Sequence, residues 1–218
     1  MRVLVACEYS GRVRDAFTAK GHSAISCDLL PSDTPGEHYQ GDVFDLDLTQ
    51  FDLMVAHPPC TYLSNSGVCH LHKDPSRWPK LFDGAAFFKR LLDAPIQRIA
   101  IENPIMHKYA KTLIGGVKQS QIIQPWMFGH MEQKATCLWL KGLPLLNETN
   151  NVKAPMMDLP KRERERLHYL SPGPDRWKIR STTYQGIADA MAAQWADWSN
   201  HINTNKRYNT ILTKRRML

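Results

Sequence analysis

A thiol and a carboxyl group each follow an apolar run that has the length of a β-strand. Cys60 lies in Pro58-Pro59-Cys60-Thr61, after the run 51–56, and Glu102 comes directly after the run 97–101. If both runs are strands of one parallel sheet, the two side chains emerge at the same edge. A thiol that adds to a ring and a carboxyl group that hydrogen-bonds the ring form a covalent site suited to a pyrimidine.

Strands and helices alternate along the chain, and this order predicts an α/β fold with a doubly wound, mostly parallel sheet. Short apolar runs predict strands at 2–6, 22–27, 51–56 and 99–101, and helical spacing predicts helices at 12–20, 81–92 and 186–198. The runs 121–124 and 135–140, separated by turn residues, predict a late antiparallel hairpin. Prolines interrupt 141–178, so we expect an irregular insert there, with one short charged helix at 161–166.

Length and composition bound the class of protein. The 218 residues and 43% hydrophobic content are enough for one well-buried domain, which we place at 1–198. The apolar stretches are too short to span a membrane, and the start lacks a signal-peptide pattern, so we expect a cytoplasmic protein. Five cysteines without a CxxC pair predict reduced thiols. Cys69, His70 and His72 beside Cys60 resemble a zinc site less than an ordinary polar loop, so no metal is expected.

The net charge of +7 is concentrated at the end of the chain. The segment 199–218 contains no acid and carries the cations Lys206, Arg207, Lys214, Arg215 and Arg216. Such a tail suits a polyanion such as nucleic acid, and it equally suits a solvated terminus.

The first predicted turn, 6–11, ends in a glycine at a helix start, as a cofactor-binding loop requires. It lacks the GxGxxG pattern of pyrophosphate binders, which points away from NAD. Asp28 after the second strand could accept the hydroxyls of a ribose, and Asp42 could face an adenine amino group. These acids favour a nucleoside cofactor without phosphates, although acids at such positions also cap turns.

The order of these motifs resembles the cytosine-5 DNA methyltransferase family, most closely its small phage and prophage members. The resemblance implies a Rossmann-like class I methyltransferase fold, S-adenosylmethionine as cofactor and DNA as partner. It implies catalytic roles for Cys60 as nucleophile, Glu102 as acid and Lys134. The cofactor contacts that it implies are Cys7, Glu8, Tyr9, Ser10, Gly11, Asp28, Leu29, Asp42, Val43 and Pro58. Nucleic-acid contacts are expected at Ser64, Asn65, Arg176, Lys178 and Arg180.

Two departures from the family pattern matter. The family has a Gln-x-Arg-x-Arg motif, whereas this chain has Gln133-Lys134-Ala135-Thr136, so the supporting role falls to Lys134. The family's large target-recognition domain is replaced by a segment of about thirty-five residues, 141–175, which is too small for such a module. We therefore expect weak sequence selectivity, and a DNA base would have to leave the stack to reach Cys60.

Several alternatives remain open at this stage. The same fold could methylate RNA or a free pyrimidine nucleotide, methylate an amino group, or bind nucleic acid without chemistry. Cys60 is expected to need a lowered pKa for attack. His57 is expected only to cap its strand, and 176–181 is interpreted as a nucleic-acid contact or as a solvated strand edge.

Overall fold

The computed structural model describes residues 1–68 and 70–196 of the chain, with backbone only at 66 and 67. Over these ranges the strands are β1 (Arg2–Ala6), β2 (Ser23–Asp28), β3 (His38–Gln40), β4 (Leu53–Ala56), β5 (Arg98–Pro104), β6 (Gln121–Ile123) and β7 (Thr136–Lys141). The helices are α1 (Arg12–Ala19), α2 (Asn65–Val68), α3 (Arg77–Leu92), α4 (Lys108–Leu113), α5 (Lys153–Met157), α6 (Lys161–Arg164), α7 (Arg176–Ser181) and α8 (Gln185–Ala196).

The strands form one sheet in the order β3-β2-β1-β4-β5-β7-β6. Strands β1 to β5 run parallel, and β7 is antiparallel to both of its neighbours. The predicted fold class, a doubly wound and mostly parallel sheet with a late antiparallel hairpin, is therefore confirmed. The strand order reverses between β1 and β4, which is where open sheets of this kind bind ligands.

Helices cover both faces of the sheet because successive strand side chains point in opposite directions. Val3 and Val5 belong to the core beneath α1 and α8, whereas Leu4 and Ala6 belong to the core beneath α3 and α4. Each core contains one fully buried tryptophan, Trp195 and Trp139 respectively. Burial of each large apolar side chain stabilises the fold by about 1.5–3 kcal/mol.

The strands and helices that the sequence did not predict are short. Strand β3 and helix α4 were not predicted, because three polar residues or one helical turn leave no clear periodicity. The segment 176–181 forms helix α7, so its interpretation as a strand edge was wrong. The insert 141–178 contains the short helices α5, α6 and the start of α7. The last two residues of the predicted helix 186–198 and the basic tail 199–218 lie outside the described residues.

Within the described ranges, none of the helices is long and apolar enough to cross a membrane. The four described cysteines, Cys7, Cys27, Cys60 and Cys137, are free thiols, and Cys69 lies outside the description. No cluster of three His, Cys, Asp or Glu side chains in this part of the chain is placed to hold a metal.

The start of α8 lies against rigid backbone, which makes Gly186 a sensitive position. A Cβ added there would lie 2.0 Å from the carbonyl oxygen of Phe128. We expect Gly186→Ala to lower the free energy of unfolding by about 1–3 kcal/mol, because overpacking outweighs the helix propensity of alanine. The measurement is urea unfolding followed by circular dichroism.

The matched control is Gly84→Ala in α3, where the nearest atom to an added Cβ is Leu63 Cδ2 at 3.4 Å. This substitution should leave stability unchanged or raise it by up to about 1 kcal/mol. Equal stability of the Gly186→Ala variant and the wild type would contradict the close approach of α8 to Phe128.

Candidate active site

The parallel register brings the ends of β1, β4 and β5 to the same level. Ala6 pairs with Ala56, and Ala56 pairs with Ile101, so the next residues Cys7, His57 and Glu102 stand side by side at the carboxyl edge. The amide of His57 donates to the carbonyl of Ala6 at 2.9 Å, which extends the ladder one residue beyond β4. The sheet thus places a thiol, an imidazole and a carboxyl group in one row.

His57 and Glu102 form a buried ion pair. Nδ1 of His57 lies 2.8 Å from Oε2 of Glu102, and the two side chains are 10% and 14% exposed. Burial on its own lowers the pKa of His57, but the hydrogen bond and charge of Glu102 outweigh it and raise that pKa. Burial on its own raises the pKa of Glu102, but the hydrogen bond and charge of His57 lower it overall. The sequence interpretation of His57 as a simple strand cap missed this partner.

Cys60 is half-buried in the loop that follows β4. Burial raises the pKa of its thiol, and the negative charge of Glu102 raises it further, while Lys134 and Arg180 oppose the shift. The expectation of a lowered pKa is therefore wrong for the site without ligands, because desolvation outweighs the nearby cations. The Cys60 thiol is close enough to Glu102, Lys134 and Arg180 for their charges to act on it.

Asn103 fixes the loop that carries the thiol. Its side chain is 1% exposed, and its Nδ2 donates to the carbonyl oxygen of Pro58 at 3.2 Å. The loop then turns back on itself, since the amides of Leu63 and Ser64 both donate to the carbonyl of Cys60 at 3.0 Å. Glu102 and Asn103 are consecutive residues of β5, so one strand supplies both the carboxyl group and the support of the nucleophile loop.

Lys134 lies just before β7 and is held at both ends. Its backbone amide donates to Oε1 of Gln124 at 2.9 Å, and its Nζ donates to the carbonyl of Arg180 at 2.9 Å. Its positive charge acts on the pKa of His57, Cys60 and Glu102. The residue that sequence comparison left as a weakened counterpart of the family motif thus lies beside the thiol.

The first turn uses its polar groups mainly to build the start of α1. Cys7 has a left-handed backbone (φ 58°), which is uncommon for a residue with a side chain. The Glu8 carboxylate is buried and accepts the amides of Val13 at 2.7 Å and Arg14 at 3.2 Å. The carboxylate that was predicted as a cofactor contact therefore also holds the first amides of helix α1.

Tyr9, Ser10 and Gly11 also face the protein. The hydroxyl of Tyr9 donates to the carbonyl of Lys178 at 3.1 Å, and Ser10 is buried beside Glu8. Gly11 adopts φ 73°, and a Cβ there would lie 2.2 Å from Oγ1 of Thr34. This glycine is required by the approach of the loop 32–37.

Two carboxylates lie at the carboxyl ends of the next strands, Asp28 at the end of β2 and Asp42 shortly after β3. Oδ1 of Asp28 accepts the amide of Leu30 at 3.0 Å, and Oδ1 of Asp42 accepts the amide of Phe44 at 3.0 Å. Both acids thus cap turns. Burial raises the pKa of Cys7, and the charges of Asp28 and Asp42 raise it further, so both carboxylates act on the first turn.

The apolar and proline positions that were predicted as cofactor contacts differ in exposure. Leu29 is 74% exposed beside Asp28, Val43 is 3% exposed, and Pro58 is buried beneath the Cys60 loop. Only Leu29 therefore presents a free apolar surface next to the two acids. Val43 instead belongs to the core, and the carbonyl of Pro58 accepts a hydrogen bond from Asn103.

The residues predicted to contact nucleic acid differ in how far their side chains are available to bind it. Asn65 is exposed, but Ser64 is 7% exposed and pairs with Met106 in an isolated bridge, so its side chain does not offer a surface contact. Nζ of Lys178 in α7 forms an ion pair with Oδ1 of Asp33 at 2.7 Å and lies over the ring of Tyr9. Arg180, in the same helix, lies close enough to Cys60 to lower the pKa of its thiol.

No family model matches the chain, and no curated protein does. Three solved structures are similar to it: a candidate DNA modification methyltransferase encoded within an E. coli prophage, a methyltransferase of Entamoeba histolytica, and the Dnmt2 methyltransferase of S. pombe. Their sequence identities are 16%, 14% and 15%, and their TM-scores are 0.42, 0.46 and 0.41.

The matches cover 74%, 69% and 82% of this chain but only 56%, 57% and 62% of those structures. The chain thus spans less than two thirds of the length of these proteins. An activity therefore has to follow from the residues of the chain itself.

The opposing charges around Cys60 give a direct test of the site. Glu102→Gln removes the charge that raises the pKa of the thiol, so we expect alkylation of Cys60 by iodoacetamide at pH 8 to become roughly two- to tenfold faster. Lys134→Met removes a cation that lowers this pKa, so alkylation should slow by a similar factor. The rates are measured by peptide mapping.

Lys153→Met serves as the control, since Lys153 lies over the ring of Trp126 and does not act on Cys60. Its alkylation rate should equal that of the wild type. Shifts of the same sign in the Glu102 and Lys134 variants would refute the charge arrangement described here.

Proposed function

We propose that the protein is an S-adenosylmethionine-dependent methyltransferase that adds a methyl group to carbon 5 of cytosine in DNA through a transient adduct on Cys60. The observation that carries this proposal is the convergence of the Cys60 thiol and the Glu102 carboxyl group at the carboxyl edge of adjacent strands. A nucleophile and an acid at one edge match the two demands of activating carbon 5, namely addition at carbon 6 and hydrogen bonding at ring nitrogen 3.

The edge next to this pair fits the cofactor. Asp28 and Asp42 each use one oxygen to cap a turn, and a carboxylate has capacity for further hydrogen bonds to ribose or amino groups. Exposed Leu29 offers an apolar surface for an adenine ring. When bound there, the cofactor supplies the methyl group from its sulfonium centre. Glu8 would contribute through the turn that it stabilises.

Cys60 and its neighbours would divide the chemistry on the base. The thiolate attacks carbon 6, while Glu102 hydrogen-bonds ring nitrogen 3, and the resulting enamine makes carbon 5 nucleophilic. After methylation, water acts as the base that removes the carbon-5 proton, and the electron pair of that C–H bond re-forms the 5,6 double bond as the thiolate leaves. Lys134 stabilises the thiolate, because its charge lowers the pKa of Cys60. Burial of the site strengthens each of these interactions relative to water.

A nucleic acid would approach this edge from the side of Asn65 and Arg180. Asn65 is exposed directly after the nucleophile loop, and the charge of Arg180 reaches Cys60. Lys178 contributes less, since its charge is paired with that of Asp33. DNA phosphates bind such cations largely by counterion release, so binding should weaken with salt.

A second candidate is methylation of a pyrimidine in RNA or in a free nucleotide. It is favoured by the segment between β7 and α8, in which the helices α5, α6 and α7 have at most six residues each. A segment of this size does not form a separate module for reading bases along a duplex. An amino-methyltransferase is less favoured, because the polar residue before the prolines, His57, is bound to Glu102.

The adduct predicts the behaviour of Cys60 variants. Cys60→Ser should abolish methyl transfer, by a factor of about 10³ or more, because serine is a far weaker nucleophile for carbon 6. Binding of S-adenosylhomocysteine should stay nearly intact. The measurement incubates labelled cofactor with duplex DNA, single-stranded DNA, RNA or free cytidine nucleotides and identifies the product by nucleoside mass spectrometry.

Cys137→Ala is the control, since Cys137 is buried in β7 and should leave turnover unchanged. Methyl on carbon 5 supports the proposal, and the substrate that receives it separates DNA from RNA or nucleotide. Wild-type turnover by Cys60→Ser, or methyl on an amino group, would rule out the adduct.

The position of Asp28 at the carboxyl edge predicts that its substitution weakens cofactor binding. Asp28→Asn should weaken S-adenosylhomocysteine binding by roughly tenfold or more, because a carboxylate accepts ribose hydroxyls more strongly than an amide does. Titration calorimetry gives the dissociation constant.

Asp47→Asn provides a matched control. Asp47 caps a turn in the same way, accepting the amide of Thr49 at 3.1 Å, but it precedes β4 and lies at the other end of the strands. If both variants lose the same affinity, the effect of Asp28 is only turn capping.

A further inference from the structure

The Glu102 carboxylate is a poor acid as long as His57 is charged. The ion pair lowers the pKa of Glu102, although its proposed partner, ring nitrogen 3, needs a hydrogen-bond donor. At the same time Nε2 of His57 is buried and has no hydrogen-bond partner among the described residues. Leaving a buried polar atom such as Nε2 without a partner costs about 1–3 kcal/mol. This cost indicates that the imidazole has a role beyond capping its strand.

We propose that His57 is a positioning residue that stores the proton needed at ring nitrogen 3 and delivers it through Glu102 as the thiolate adds to the base. This inference rests on the proposed function and names a residue that the sequence motifs do not assign. It follows from the 2.8 Å contact between Nδ1 and Oε2, from the burial of both groups and from their position beside Cys60.

The charges around His57 allow it to hold this proton. Glu102 faces it from β5, Glu8 acts on it from the turn after β1, and Lys134 acts on it from the segment before β7. Two acids and one cation therefore surround the imidazole, so a protonated His57 brings the local charge to balance. Below its raised pKa the His57–Glu102 pair carries the extra proton, and above that pKa the pair loses it.

A proton stored on His57 stabilises the state in which the thiolate adds to the base more than it stabilises the complex with the unreacted base. Ring nitrogen 3 of an unreacted cytosine is a weak base, so the proton stays on the pair. Addition of the thiolate to carbon 6 pushes electron density onto nitrogen 3 and raises its basicity. Proton delivery is then favourable only as the adduct forms, and an interaction of this kind lowers the barrier rather than tightening substrate binding.

The proton transfer balances without any added reagent. The N–H bond at Nδ1 breaks with its electron pair left on the imidazole, and the carboxylate accepts the proton. Glu102 passes it to nitrogen 3 while the carbon–sulfur bond forms. When the thiolate leaves, the nitrogen–hydrogen bond breaks and the proton returns by the same route.

The test compares wild type with His57→Asn from pH 6 to pH 9. The asparagine Nδ2 takes the place of the imidazole Nδ1, so it can still donate to Glu102 but cannot release a proton. We expect the ratio of wild-type to variant kcat to be largest, about tenfold or more, where the pH lies between the pKa of Glu102 in the variant and that of His57, and to shrink as the pH rises through the His57 pKa. KM should change little.

The rate of Cys60 alkylation by iodoacetamide, measured in both proteins over the same pH range, corrects each profile for the ionisation of the thiol. A ratio that is constant across the pH range, or equal to one throughout, would overturn the proposal, because a purely structural His57 gives no pH-dependent difference. His22→Asn is the control, since His22 contacts the terminal amine of Met1 at the other end of the strands and its substitution should give a ratio near one.

A second measurement does not require activity. The imidazole of His57 is followed by NMR in the wild type and in Glu102→Gln, where we expect its pKa to fall by roughly one unit or more when the charge is removed. An unchanged titration would refute proton sharing. If the wild type methylates no pyrimidine while this shift is observed, the proposed function fails and the proton-sharing pair stands.

Discussion

The site depends on the parallel register of β1, β4 and β5. Since Ala6, Ala56 and Ile101 pair across these strands, the residues that follow them stand at one level. A slip of one residue would turn the Glu102 side chain to the other face of the sheet and break its contact with His57. The apolar residues of these strands are buried on both faces of the sheet, so their packing fixes this register and the positions of the side chains that follow.

The short helix α7 contacts several segments at the carboxyl edge of the sheet. Helix α7 receives the hydroxyl of Tyr9 and the Nζ of Lys134 on its backbone carbonyls, and its Lys178 pairs with Asp33. It is therefore joined to the first turn, to the loop after β2 and to the segment before β7. Arg14 holds the loop after β2, because it is 1% exposed and donates to Ser32, Thr34 and Pro35.

The sequence predicted the long elements and the positions of Cys60 and Glu102 at the ends of neighbouring strands, because apolar periodicity and strand ends are local features. It did not predict β3, α4 or α7, whose few residues carry no period. It also missed the roles of His57 and Glu8, which depend on partners 45 and 5 residues away. Glu8 illustrates the reason: an acid in a glycine turn suits a cofactor and a helix start equally, and only the amides of Val13 and Arg14 decide between them.

The raised pKa of Cys60 is compatible with a transient nucleophile. Burial and Glu102 keep the thiol protonated at rest, and only the thiolate reacts quickly with oxidants and alkylating agents. Lys134 and Arg180 are close enough to favour the thiolate but do not outweigh desolvation. Any further positive charge brought next to the thiol lowers its pKa by the same Coulomb interaction, and neutralisation of Glu102 by a proton acts in the same direction. Under the proposed function, this arrangement couples formation of the nucleophile to filling of the site.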